Sequence, residues 1–312
     1  MKEFHLKAFV GVTDFEWFTY LSSLPGIDEV NFWQPGGKQH FRTLSPGEPF
    51  LFKLHSPRDF IVGGGFFAHS SVLPVSLAWD AFGEKNGASS FEEMRRLIEK
   101  HRRTVSPSIE DYQIGCILLE QPFFLRERDW IQLPSDWKPN IVRGKSYDTT
   151  AGLGEKLWED VQLRIQARKD LWEEAKVTDV EGGYGSPAMI MPRLGQGSFR
   201  ILVTDVYQRR CAVTKERTLP ALDAVHIKPF KESGPHKINN GLLLRSDIHK
   251  LFDAGYVTIS PDFHFEVSKR IREEFENGRD YYAMHGSSLY LPPERKFRPA
   301  SEFISWHNEN MF

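Results

Sequence analysis

TLPALDAVHIKPFKESGPHKINNGLLLRSDIHKLFDAG, residues 218–255, holds two short apolar runs, LDAVHI and GLLL, followed by a segment of helical spacing, SDIHKLF. Short apolar runs bounded by turn-forming residues read as strands. Two strands and a helix in this order make a hairpin closed by a helix. The spacing predicts His226 at the end of the first strand, an Asn-Gly turn at 240–241, and His249 projecting from the helix toward the first histidine.

Outward from this stretch, the preceding segment MPRLGQGSFRILVTDVYQRRCAVTKER, 191–217, is locally basic. Arg193, Gln196 and Arg200 are spaced to lie on one side of a helix, and Arg209 and Arg210 follow. The whole chain has 312 residues and a net charge of −2, so any polyanion must be met by such a local patch. A chain of this length has room for two domains, each with its own core. The hydrophobic fraction of 40% and aromatic fraction of 13% are globular values, and no apolar run reaches the roughly 20 residues of a membrane span. No signal peptide is legible in MKEFHLKAFVGVTDFEWF, and a cytoplasmic location is expected. Cys116 and Cys211 are the only cysteines, which excludes a structural zinc site of four thiolates and fits packed thiols in a reducing compartment.

The first half alternates short runs rich in Phe, Ile and Val with Gly and Pro turns, among them PFLFKL, DFIVGGGFFAHS and IGCILLEQPFF. These predict strands, interrupted by helices at 14–24 and 89–103, the second with Phe91, Met94, Leu97 and Ile98 on one face. In 151–176, Trp158, Val161, Ile165 and Trp172 recur at helical spacing without a proline, predicting a connecting helix. TDVEGGYGSPAM at 178–189 reads as a linker. The expected organisation is a domain over 1–150, a helix and linker over 151–189, and a second domain over 190–312.

Phosphodiester hydrolysis needs a base that activates water, a divalent cation that neutralises charge on the phosphate, and a scaffold that holds both. The ordered pieces YQRRCAVT, LDAVHI, NNGLLL and DIHKLFDAG resemble the histidine-asparagine-histidine (HNH) nucleases of the ββα-metal fold over about 190–312. The resemblance implies His226 as general base, Asn240 as the residue tying the loop and orienting that histidine, and His249 as metal ligand. Many relatives place an Asp immediately before the base, where this chain has Val225. Alternation along a strand then points to Asp223 as the second ligand. One carboxylate and one imidazole suit Mg²⁺ or Mn²⁺. Asp253 is read as capping the helix end before Gly255, and His236 as an exposed loop residue.

Residues 31–82, from NFWQPGG through GEPFLFKL and IVGGGFF to SLAWDAF, loosely resemble the EVE and YTH domains of the PUA-like superfamily. The fold expectation is therefore α+β: a PUA-like β-barrel with peripheral helices, joined by a helix to a ββα-metal nuclease domain. The resemblance implies an aromatic cage for a modified base, with Trp33 and Trp79 as members and Trp17 as a third candidate. An extruded base offers two π-faces that indole rings can enclose. Together the two halves imply a modification-dependent endonuclease acting on double-stranded DNA that carries 5-methyl- or 5-hydroxymethylcytosine. Because one HNH site cuts one strand, a homodimer is expected, with the Trp158–Trp172 helix as a contact. The alternatives are a reader of modified nucleic acid that does not cut, and an RNA-directed nuclease.

Overall fold

Aromatic and branched residues of the first half assemble on one mixed sheet. The computed structural model describes residues 6–37, 40–102, 111–175 and 194–312, without the side chains of 168–175. The chain divides into two compact units, Met1–Pro192 and Arg193–Phe312. Arg193, the linker at 178–189 and the side chain of Trp172 lie outside what is described.

In the first unit the strands are β1 (Lys7–Thr13), β2 (Glu29–Gln34), β3 (Pro49–Leu54), β4 (Phe60–Pro74), β5 (Gln113–Phe124), β6 (Ile131–Gln132) and β7 (Gly144–Asp148). Their order is β2-β5-β4-β3-β1-β7, with β6 paired to β4. Among the described residues only β1 and β3 run parallel. The end strands β2 and β7 do not pair with each other among the described residues, so the expected barrel is an open sheet. It is accompanied by the helices α1 (Phe15–Ser23), α2 (Val75–Phe82), α3 (Phe91–His101) and α4 (Gly152–Ala175). Met94, Leu97 and Ile98 of α3 are buried, as their spacing predicts, and Ser90 caps the helix by accepting from the Glu93 N–H. Helix α2 follows β4 without a break.

One face of this sheet is an aromatic core. Trp17 of α1 meets Phe32 at 5.4 Å and Phe52 at 5.1 Å, both edge to face. Phe32 packs on Phe50 at 4.7 Å. The helix α4 sets Leu157 and Val161 against Val10, Leu51, Ile61 and Tyr147, with Trp158 and Ile165 packed beside them.

The second unit opens with α5 (Gln196–Val206), followed by the antiparallel pair β8 (Leu222–His226) and β9 (Gly241–Arg245) and helix α6 (Ser246–Asp253). A smaller antiparallel pair, β10 (Val257–Ile259) with β11 (Phe265–Val267), and helices α7 (Arg270–Phe275), α8 (Arg279–Tyr282) and α9 (Ser301–Asn310) complete it. Its core joins Phe199 and Val203 of α5, and Tyr207 just after it, to Val225, Leu242, Leu243, Leu244, Ile248 and Phe252. Gly255 ends α6 with φ +70°, and a Cβ there would meet the Met311 carbonyl oxygen at 1.8 Å. That combination admits only glycine without backbone movement.

Candidate active site

The β8–β9 pairing sets His226 opposite Gly241, at the end of the two-stranded ladder. The connection between them differs from the sequence expectation. Asn240 and Gly241 do not form a two-residue turn: Asn240 ends a 3₁₀ segment (Ile238–Asn240), and Gly241 enters β9 with extended backbone. The turn is instead the loop 227–240, closed by the Asn240 side chain. Its Oδ1 accepts from the Lys228 N–H at 2.9 Å, and its Nδ2 donates to the carbonyls of Lys228 and Pro235, both at 3.0 Å. Asn240 is fully buried, so these three bonds satisfy an amide that would otherwise be costly to hide.

His226 is half-buried between two aromatic groups. Phe199 of α5 lies flat on the imidazole, with ring centroids 3.8 Å apart and planes within 10°. Nε2 of His226 shares a 2.9 Å hydrogen bond with Nδ1 of His236. His236 is therefore not the exposed loop residue expected from sequence: it is half-buried and held against His226, with Phe230 stacked on it at 4.7 Å. Burial, reinforced by His236, pushes the His226 imidazole down to about 4, against the raising influence of Asp253. A histidine so depressed is neutral near pH 7, the form that can accept a proton.

On α6, one turn into the helix, His249 is gripped from both sides. Its Nδ1 lies 3.0 Å from Oδ2 of Asp223 on β8, and its Nε2 lies 3.1 Å from Oδ2 of Asp253. The bond to Asp253, more than the one to Asp223, raises the imidazole above its ordinary value, while burial opposes. Asp253 thus engages a side chain of the site instead of capping the helix end, which is closed by backbone bonds from Ala254 to the Lys250 and Phe252 carbonyls. Val225, where many relatives carry the Asp, is buried in the core.

Among the described residues no three His, Cys, Asp or Glu side chains converge to hold a metal ion. The reason is visible at His249: its two carboxylates sit on opposite ring nitrogens. The donor pair Asp223–His249 nevertheless fits a divalent cation. Oδ2 of Asp223 and Nδ1 of His249 hydrogen-bond at 3.0 Å, and a carboxylate and an imidazole are donor types that Mg²⁺ and Mn²⁺ accept. Asp253 on the other nitrogen holds the ring from the opposite side.

Other residues singled out in the sequence are dispersed. Gln196 is exposed at the start of α5, and Arg200 is half-buried on the same helix. Arg209 lies 3.6 Å from Asp205, and Arg210 lies over the Tyr290 ring. In the first unit Trp33 is buried on β2 and donates from Nε1 to the Asn86 carbonyl at 3.0 Å. Trp17 packs on Phe32, the neighbour of Trp33 in the strand. Trp17 is a core residue with 2% of its surface exposed, its indole lying against Gly87, the neighbour of the Asn86 to which Trp33 donates. Trp79 is half-buried on α2, and its ring neighbour is Phe91 at 6.3 Å. No ring contact joins Trp33 to Trp79 among the described residues.

Residues 211–260 match a family model described as HNH endonuclease. This span contains β8, β9 and α6 with His226, Asn240 and His249. No curated protein matches the sequence. Among solved structures, the ASCH protein from Zymomonas mobilis aligns at 12% identity and a TM-score of 0.33, covering 49% of this chain and 94% of that one. A modification-dependent restriction endonuclease, TagI, aligns at 12% identity and a TM-score of 0.28, covering 96% of this chain and 81% of that one. Scores this low do not identify a shared fold.

Proposed function

We propose that this chain is a modification-dependent DNA endonuclease: the first unit reads 5-methyl- or 5-hydroxymethylcytosine on a flipped base, and the HNH site of the second hydrolyses phosphodiester bonds nearby, with a homodimer cutting both strands. The observation that carries the nuclease reading is the joint placement of a neutral, half-buried His226 and an Asp223–His249 donor pair on one strand-strand-helix unit.

In this reading His226 takes a proton from the attacking water as that water's oxygen bonds to phosphorus and the bond to the leaving ribose oxygen breaks. The flat contact of Phe199 keeps the imidazole partly out of water and fixes its plane. Asn240 closes the loop behind it, and Asp253 aims His249. Asp223 and His249 would hold Mg²⁺ or Mn²⁺, which when bound supplies charge neutralisation at the phosphate and leaving oxygen. Gln196, Arg200, Arg209 and Arg210, with Arg193, are assigned to the DNA backbone, where cationic contacts give affinity without sequence preference. The reading function is assigned to the first unit on its resemblance to EVE and YTH domains, with Trp79, the more accessible ring, as the principal stacking surface and the buried Trp33 as the second candidate.

Purified protein incubated with Mn²⁺ and duplexes that differ only in cytosine modification tests this. Preferential cleavage of modified duplex supports it. Cleavage of RNA alone, or binding of modified DNA without cleavage, would replace it with one of the two alternative readings.

A further inference from the structure

The loop 227–240 carries a second imidazole into the site, and the HNH motif assigns it no task. His236 Nδ1 lies 2.9 Å from His226 Nε2. Two imidazoles at that distance share one proton: one nitrogen donates and the other accepts. The direction of this bond decides which nitrogen of His226 carries a lone pair, and hence which can take a proton from water. Among the described residues Nε2 of His226 is engaged by His236, whereas no hydrogen-bond partner occupies Nδ1. A base must present its lone pair to water, so the productive arrangement has Nε2–H donating to His236 and Nδ1 free to act.

We propose that His236 is a positioning residue for the reaction: by accepting from the Nε2–H of His226 it holds the base in the tautomer whose Nδ1 faces the attacking water.

The surrounding contacts fit this task. Phe230 stacks on His236 with centroids 4.7 Å apart and planes within 18°, and Phe199 touches both imidazoles, at 3.8 Å for His226 and 5.9 Å for His236. The two rings meet edge to face at 66°, which lets an in-plane lone pair of one point at the N–H edge of the other. The backbone is fixed as well. Asn240 donates to the carbonyl of Pro235, the residue immediately before His236, and Gly234 lies so near the Lys228 carbonyl that a Cβ would sit 1.9 Å from its oxygen. The buried asparagine of the motif thus acts on the base through His236, by a chain of contacts from Asn240 to Pro235, His236 and His226.

The proposal rests on His226 being the base, so its test has one arm that needs no cleavage. Nitrogen-15 shifts of the imidazoles, read in the full-length wild-type protein without DNA, should show His226 protonated on Nε2. In His236→Ala that preference should be lost. In His236→Asn, whose side-chain oxygen can stand near the place of Nδ1, it should be restored. In the cleavage arm, His236→Ala should lower kcat by about 10- to 100-fold, the usual range when a partner that orients a functional side chain is removed. DNA affinity should hold, and His236→Asn should recover most of the rate. Four results would overturn the assignment: His226 protonated on Nδ1 in the wild type, a tautomer unchanged by His236→Ala, a His236→Ala rate near wild type, or an Asn variant as impaired as the Ala one. If the wild type cleaves nothing, the nuclease reading fails, and the shifts alone still decide whether His236 sets the tautomer.

Discussion

Nδ1 of His249 and Oδ2 of Asp223 lie 3.0 Å apart, tying helix α6 to strand β8. If this pair holds the cation, Asp223→Asn should raise the Mn²⁺ concentration needed for half-maximal cleavage by more than the roughly 10- to 100-fold that losing an outer partner of a ligand costs, while leaving the thermal melt unchanged. Asp253→Asn touches the opposite nitrogen and should have the smaller effect. Calorimetric Mn²⁺ titration without DNA checks both, and a normal titration for Asp223→Asn beside a lost one for Asp253→Asn would exchange the two roles.

His226→Ala should reduce cleavage by about 10²- to 10⁴-fold, the range contributed by general-base catalysis. Binding should be nearly unaffected, because the base acts on the transition state more than on the complex. Gel shift and cleavage on one preparation measure the two quantities, and near-wild-type cleavage would remove His226 from the mechanism.

Asn240→Ala should destabilise the second unit. It strips partners from the Lys228 N–H and the carbonyls of Lys228 and Pro235. A buried polar group left unpaired costs about 1–3 kcal/mol. Urea unfolding followed on the isolated mutation checks this, and an unchanged midpoint would mean that water replaces the amide.

The strand of Asp223 and His226 and the helix of His249 were legible from local geometry within one short stretch, whereas Asn240 closes a long loop where a two-residue turn was expected. Three partners were not legible. Phe199 lies on a preceding helix, and its stacking on His226 is a tertiary contact that helical periodicity records only as a core position. His236 sits in a loop whose path depends on the Asn240 bonds, so sequence spacing leaves its side chain unplaced. Asp253 was visible as a neighbour of His249 one turn away, but capping and pairing with a histidine are equally compatible with that spacing. In the first unit the strand segments were readable from composition, whereas strand order comes from long-range pairing.

The acid limb of the pH profile should depend on metal. Asp253 and Asp223 hold the His249 proton more firmly than usual, and a proton on a ligand nitrogen competes with the cation. At limiting Mn²⁺ the limb should therefore lie above the ordinary histidine value of about 6.5. Saturating Mn²⁺ should move it downward toward the limit set by His226, which is depressed to about 4. Rate profiles at several Mn²⁺ concentrations check the shift, and a limb that ignores metal would contradict the assignment of His249.

The tryptophans should separate by location. Trp17→Ala removes a ring packed on Phe32 and Phe52 and should cost about 3–5 kcal/mol of stability. Trp79→Ala should leave the fold intact and weaken binding of modified DNA by about 1–3 kcal/mol, the loss of one base-stacking surface. Thermal melting and paired binding assays on modified and unmodified duplexes distinguish them. A folded Trp79→Ala protein with undiminished preference would take Trp79 out of base reading.

The central claim is tested most directly by cleavage of duplexes identical in sequence, carrying cytosine, 5-methylcytosine or 5-hydroxymethylcytosine, by the full-length chain in Mn²⁺, with His226→Ala prepared in parallel. Products are expected from one or both modified duplexes at enzyme concentrations that leave the unmodified one intact, and none from the variant. Equal cleavage of all three would contradict modification reading, and cleavage by the His226→Ala protein at the wild-type rate would contradict the site.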